Sequence, residues 1–461
     1  MSFVLYDITF LIVFSVFLVI FLVLRRKKLQ REGILILYRT QLGIKIINYI
    51  SKKYKKFLHS FEYVLIFCGY LLMAGIVVLL IQVLYLFFKF PDLIRAIKIP
   101  PIAPLIPYLP QIFKADYLPM FYFTYWIIVL AIAAIFHEFC HGIFAKARGV
   151  KIKSTGFAFL GPFTGAFVEP DENKVKKLKI KEQIAFLSAG SFANFVIGIL
   201  FFIILLLFFI LAFSPSGVIF NTYTFSVANI SDITLTNESF FVDFNGGLNL
   251  TKGFIGNETY YIESSVIDNS SYVVAYEDTP ALKAGLVGVI IEFDGNKIKT
   301  DSNLKKELFN KKPGDNVTIK TLFNDSVKEY NIKLINRLDN KSQAYLGIAT
   351  IKTDSSSLLG KIRNKVLFFK DPNTDYKPKI AGDLTIFIYY LFWWIIFISF
   401  SVALGNMMPL GIFDGGRVFY LTVLWITKSE KIAKKAYKFS TYLLIGVFLL
   451  LTFLWVINFP F

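Results

Sequence analysis

The stretch of this chain best suited to chemistry is His137-Glu138-Phe139-Cys140-His141. Residues 131–147 contain no proline and are rich in helix formers, so a helix is expected there. On a helix, histidines at i and i+4 lie on one face a turn apart, fit to offer two ring nitrogens to Zn²⁺. Glu138 stands beside them, placed to take a proton from a water held by such a metal. A catalytic zinc also needs a third protein ligand and an open position. The remaining histidine, His59, falls in a basic connection and is a poor candidate. Asp414 is a better one. It lies in Asn406-Met407-Met408-Pro409-Leu410-Gly411-Ile412-Phe413-Asp414-Gly415-Gly416-Arg417, where Pro and paired Gly must break an apolar helix. Broken helices at membrane depth usually line cavities or sites. The competing reading is that Asp414 caps the following helix.

The elements that would position these groups are membrane helices. The chain has 461 residues, 55% of them hydrophobic, with 51 Phe. Apolar runs long enough to span a bilayer, about 20 residues each, occur at about 3–24, 61–89, 119–144, 183–213, 384–404 and 439–459. The first is too long for a signal-peptide core, and its basic residues follow it, so it reads as a retained helix. Glu138 then sits at the buried end of an apolar helix, where an ionisable group is expensive and a functional site is the default reading.

The net charge of +18 does not point to nucleic acid. Its Lys and Arg are concentrated in 25–60, 145–182 and 428–438, and the positive-inside rule assigns all three to the cytoplasm. Both termini, 90–118 and 214–383 then fall outside. Asn-x-Ser/Thr sequons at Asn229, Asn237, Asn249, Asn257, Asn269, Asn316, Asn324 and Asn340 all lie in that one outer segment, as glycosylation acceptors would. Cys68 and Cys140 lie in expected spans, leaving the outer segment without a disulfide. Cys140 reads as a small packing residue.

Within 217–352, short β-like stretches alternate with Asn, Gly and Asp turns. Thr279-Pro280-Ala281-Leu282-Lys283-Ala284-Gly285-Leu286, the strand reaching Asp294-Gly295, Lys312-Pro313-Gly314-Asp315 and Tyr345-Leu346-Gly347-Ile348 together resemble a circularly permuted PDZ domain. Gly288-Val289 departs from the usual Gly-Asp. PDZ domains bind extended peptides at a sheet edge. The 217–276 stretch belongs either to that domain or to a cap of its own. Upstream, two short apolar stretches around Gly161-Pro162 read as a β-hairpin dipping into the membrane, covered by protein or a wet cavity.

Three motifs in order, His137-Glu138-x-x-His141, Gly190-x-x-x-Asn194 and Asn406-x-x-Pro409 leading to Asp414-Gly415, resemble the core of the site-2 protease family. That family comprises intramembrane zinc metalloproteases, and this chain is similar to its PDZ-containing, archaeal-like members. The likeness covers roughly 119–213 and 384–427. It implies a polytopic α-helical membrane protein of about six spans with a re-entrant hairpin and an inserted extracytoplasmic PDZ-like α+β domain. The division is 1–118, N-terminal helices; 119–216, first catalytic part; 217–352, PDZ-like domain; 353–383, linker; and 384–461, second catalytic part. The resemblance implies one Zn²⁺ on His137, His141 and Asp414, with Glu138 as general base and acid. Asn194 and Asn406 would bind the substrate backbone or brace the hairpin, against the alternative of helix–helix hydrogen bonding. Expected partners are transmembrane protein substrates, already trimmed outside, and the lipid bilayer, with no nucleic acid. A metal-binding transporter or an inactive scaffold are the competing classes. Transport needs ligands, whereas hydrolysis needs a base beside one, which Glu138 supplies.

Overall fold

The computed structural model describes residues 3–90, 100, 105–115, 118–160, 163–244, 247–266, 272–336, 343–350 and 369–458. Two compact units emerge, one formed by 1–205 with 387–461 and the other by 206–386.

The first unit is built on six helices long and apolar enough to cross a membrane. A helix satisfies its own backbone hydrogen bonds, so a continuous apolar run in lipid has little alternative. They are α1 (Phe3–Leu24), α3 (Lys55–Lys89), α4 (Phe123–Ala147), α5 (Ile180–Ala212), α7 (Gly382–Asn406) and α9 (Glu430–Asn458). Shorter helices include α2 (Ile44–Lys53), α6 (Asp301–Phe309) in the second unit, and α8 (Asp414–Thr427). Two spans begin earlier than their apolar runs. α3 starts at Lys55 and α9 at Glu430, because the lysines preceding the runs are themselves good helix formers. The helix at α3 corrects the reading of His59, which lies within it with Nε2 3.1 Å from the Ala147 carbonyl oxygen.

The basic 25–60 stretch is not a plain connection. Strands β1 (Leu29–Glu32) and β2 (Leu35–Thr40) form a hairpin that adds to β3 (Ile152–Leu160) and β4 (Phe163–Pro170) in a four-stranded sheet of order β1-β2-β3-β4. The expected hairpin is therefore present as β3–β4, with Phe157 opposite Ala166 and Ala158 opposite Gly165. Its Gly161-Pro162 tip lies outside the described residues. Arg39 of β2 reaches across β3 to Glu169 of β4 at 3.0 Å.

Two further contacts fix α4. Phe123 N and Thr124 N, at the start of α4, donate to the Asp7 carboxylate at 2.7 and 2.8 Å, and the Thr124 hydroxyl at 2.6 Å. Tyr108 OH donates to the same group. Asp7 of α1 thus caps the N-terminus of α4 from another helix, where the residue preceding α4, Tyr122, supplies no side-chain cap. At the other end, Arg148 pairs with Glu62 of α3 and, at 2.9 Å, with Glu182 of α5.

The second unit is rich in short strands. β5 (Phe213–Val218), β6 (Thr222–Tyr223), β7 (Phe225–Asn229), β8 (Thr234–Val242), β9 (Leu248–Ile255), β10 (Glu258–Glu263) and β11 (Tyr272–Glu277) precede β12 (Val289–Phe293), β13 (Asn296–Lys297), β14 (Asn316–Phe323) and β15 (Ser326–Lys333). One sheet runs β7-β11-β10-β9-β8, so most of the 217–276 stretch forms a sheet of its own. A second runs β15-β14-β12-β5 and continues to Thr374–Pro378. Its core gathers Val218, Leu282, Leu286, Ile290, Phe293, Val317 and Ile319, nearly all fully buried.

Candidate metal centre

The metal-ligand candidates converge from two helices, and a third helix forms the wall behind them. His137 and His141 project from one face of α4, both buried. Asp414 is the first residue of α8, beyond the break that follows Asn406. Its Oδ2 lies 3.2 Å from His141 Nε2 and 3.4 Å from His137 Nε2, and the two Nε2 atoms are 3.0 Å apart. Among the described residues these three are the group whose ligand atoms could share a metal ion. Ligands about 2.0–2.1 Å from a tetrahedral zinc stand roughly 3.3 Å from one another. The three spacings bracket that value, so the donor set fits the metal that the sequence implied. Asp414 does not cap α8 but opens it, with its carboxylate turned to the histidines.

The break between α7 and α8 is tightly made. A Cβ on Gly415 would stand 2.2 Å from the Met407 backbone, and one on Gly416 2.3 Å from the Leu410 carbonyl oxygen. Only glycine allows the chain to fold back closely enough to bring Asp414 round. That gives the Asp-Gly-Gly run a physical reason.

α5 supplies the wall. A Cβ on Gly190 would meet His141 Nε2 at 2.4 Å and His137 Cε1 at 2.5 Å. Asn194, fully buried one turn further on, places Nδ2 3.3 Å from His137 Nδ1. His141 Nδ1 stands 2.8 Å from the Phe186 carbonyl oxygen. The Gly-x-x-x-Asn spacing thus matches the His-x-x-x-His spacing across a helix pair.

Glu138 is half-buried beside the histidines, and Val168 of β4 donates its backbone N–H to Glu138 Oε2 at 3.0 Å. A cavity of about 310 Å³ opens onto the centre, lined by Leu130, Ala133, His137, Glu138, Asn406 and Asp414 among others. Asn406 therefore reaches the cavity wall, whereas Asn194 lies behind His137 and is not part of that lining. Cys140 packs among apolar neighbours near Leu58 and Phe144, as a small core residue does.

Sequence reasoning missed three contributors: Val168 as the partner of Glu138, Phe186 as the partner of His141, and Asp7 as the cap of α4. Backbone groups carry no residue signature, so the first two had no signal. Asp7 had one, an acid in an otherwise apolar run.

A paired-histidine helix, a carboxylate from a second helix and an adjoining glutamate, held among membrane-length helices, define a membrane metallopeptidase. The chain belongs to peptidase family M50, whose family model matches residues 125–453. It is 24% identical over 351 residues to a Clostridium perfringens protein named "Putative zinc metalloprotease", covering 68% of this chain and 88% of that one. It is also 52% identical over 73 residues, 15% of this chain, to an uncharacterized protein of Methanocaldococcus jannaschii, spanning only 20% of that relative's length.

Proposed function

We propose that this protein is a zinc-dependent intramembrane endopeptidase that cleaves membrane proteins in or beside their transmembrane segments. The observation that carries the reading is the placement of Glu138 beside His137, His141 and Asp414 on a cavity among membrane-length helices. Zinc held there would act as a Lewis acid on a carbonyl oxygen and make water a better nucleophile. Glu138 takes the proton of the attacking water and returns it to the leaving amine nitrogen. Val168 N–H holds one Glu138 oxygen, and Glu138 lines the cavity where the reaction would take place.

A helical substrate hides its amides and must unwind to be cut. β4 is the terminal strand of its sheet, since β2 already occupies the far edge of β3. Its outer edge could pair with an extended segment, and Asn406 on the cavity wall could hold the substrate backbone. In this reading the hairpin enters the membrane, and the basic loops face the cytoplasm. The PDZ-like second unit, with its sequons, lies outside and excludes bulky ectodomains, so the substrates are already trimmed.

The test compares the purified wild type with Glu138→Gln. Bound zinc is measured by mass spectrometry, and cleavage on a single-span substrate in proteoliposomes. Zinc near one per chain in both, with cleavage falling about 10³-fold or more in the variant, is expected. Zinc without cleavage in the wild type would favour a transport site. A wild type without zinc would remove the basis of the reading.

A further inference from the structure

Each histidine of the centre meets one polar group of α5, and the two groups differ in kind. The Phe186 carbonyl oxygen, 2.8 Å from His141 Nδ1, can only accept. It places the His141 proton on Nδ1 and leaves Nε2 bare, facing Asp414 and His137. His137 instead meets the Asn194 amide, with Nδ2 3.3 Å from Nδ1. In that orientation the amide donates, and the His137 proton is driven to Nε2, the atom that faces the other two ligands. A metal cannot bind a protonated Nε2.

The amide has a second orientation. Asn194 Oδ1 is buried without a hydrogen-bond partner among the described residues. Turning the amide end for end therefore breaks no hydrogen bond beyond the one to His137, and it puts Oδ1 where Nδ2 stood. Phe186, Gly190 and Asn194 fall on one stripe of α5 at i, i+4 and i+8, against His141 and His137 at i+4 and i of α4. The outer two members of the stripe touch the ring nitrogens that face away from Asp414, and the middle one makes the room.

We infer that Asn194 is a positioning residue for the metal, presenting Oδ1 to His137 Nδ1–H and so fixing the tautomer that leaves Nε2 free. It does for His137 what the Phe186 carbonyl does for His141. Partners of this kind hold a ligand ring in orientation and raise its basicity. This assignment rests on the zinc reading above and replaces, for Asn194, the role of substrate binder.

The experiment measures zinc affinity of the full-length protein in detergent by competition with a chromophoric chelator, for wild type, Asn194→Leu and Asn194→Asp. Leu removes the acceptor at similar size, and zinc affinity is expected to fall about 10- to 100-fold. Asp keeps an acceptor and no donor, and should bind zinc at least as tightly as wild type. A Leu variant with wild-type affinity, changed only in KM for substrate, would overturn the inference and restore substrate binding. So would an Asp variant no better than Leu. If the Leu variant does not fold, Asp alone decides, since affinity below wild type contradicts an acceptor role. A wild type that takes up no zinc overturns both this inference and the protease reading, whereas tight wild-type binding with an indifferent Leu variant overturns this inference alone.

Discussion

The metal centre and the open turns of the strand-rich unit use glycine for different reasons. Around the metal centre glycine supplies space: at Gly190 and Gly415 the backbone is ordinary, and an added Cβ would lie within 2.6 Å of ligand rings or of another backbone segment. In the strand-rich unit the turn glycines supply conformation: Gly295 has φ +81° and Gly314 φ +94°, with nothing within 4 Å of where a Cβ would stand. A helix bundle that hides polar groups from lipid must bring backbones close, while a meander of short strands must turn tightly in water. The same residue type therefore predicts different failures in the two places.

The largest expected effect is at Gly190. A methyl group there would press on both histidine rings, which are buried and cannot swing away without abandoning their shared geometry. Metal–ligand distances in well-formed sites keep within about 0.2 Å of their standard values. Gly190→Ala should weaken zinc binding by about a hundredfold or more and remove cleavage with it. Isothermal titration with zinc checks this. Wild-type affinity in the variant would break the view that glycine here is held by space.

The same contrast explains what the sequence disclosed. The centre was legible because its chemistry restricts residue types: few side chains ligate zinc, and His137, Glu138 and His141 fall in one helix where spacing is geometry. Asp414 was found through the helix break beside it. The helices were legible because lipid leaves so little choice of backbone structure. What escaped was held by long-range pairing or by backbone atoms. β2 joins β3 across more than a hundred residues, with Tyr38 opposite Phe157, and the Lys and Arg of 25–60 masked its alternation. β5 likewise pairs with β12 about 70 residues on, Val218 opposite Ile290. No local pattern encodes such partners.

A smaller effect is expected in the second unit. Asp294 and Gly295 form the turn between β12 and β13, both with positive φ. Gly295→Ala meets no atom but forces an alanine into the left-handed region, at a cost of about 1 kcal/mol. The unfolding midpoint should fall slightly, with faster amide exchange confined to β12 and β13. Zinc affinity should not change. A loss of zinc from this variant would show that this turn and the metal centre are coupled.

Gly165 is the sharpest case because neither reason applies to it. It lies in β4 opposite Ala158, its φ is not positive, and nothing stands within 4 Å of a Cβ placed there. Folding therefore gives it no evident task, and a strand interior ordinarily disfavours glycine. Gly165→Val should change stability by no more than about 0.5 kcal/mol, since valine suits a strand. Zinc content should also stay as in wild type. Glycine within a strand can mark the close approach of another backbone, and on the terminal strand the proposed approach is that of the unwound substrate. The valine side chain would obstruct that approach, and cleavage should then fall mainly through a higher KM, by about 10-fold, as if the substrate made one backbone hydrogen bond fewer. A variant that cleaves as well as wild type would move substrate pairing away from this part of β4. One that unfolds would instead reveal a packing role that the open space around Gly165 does not suggest.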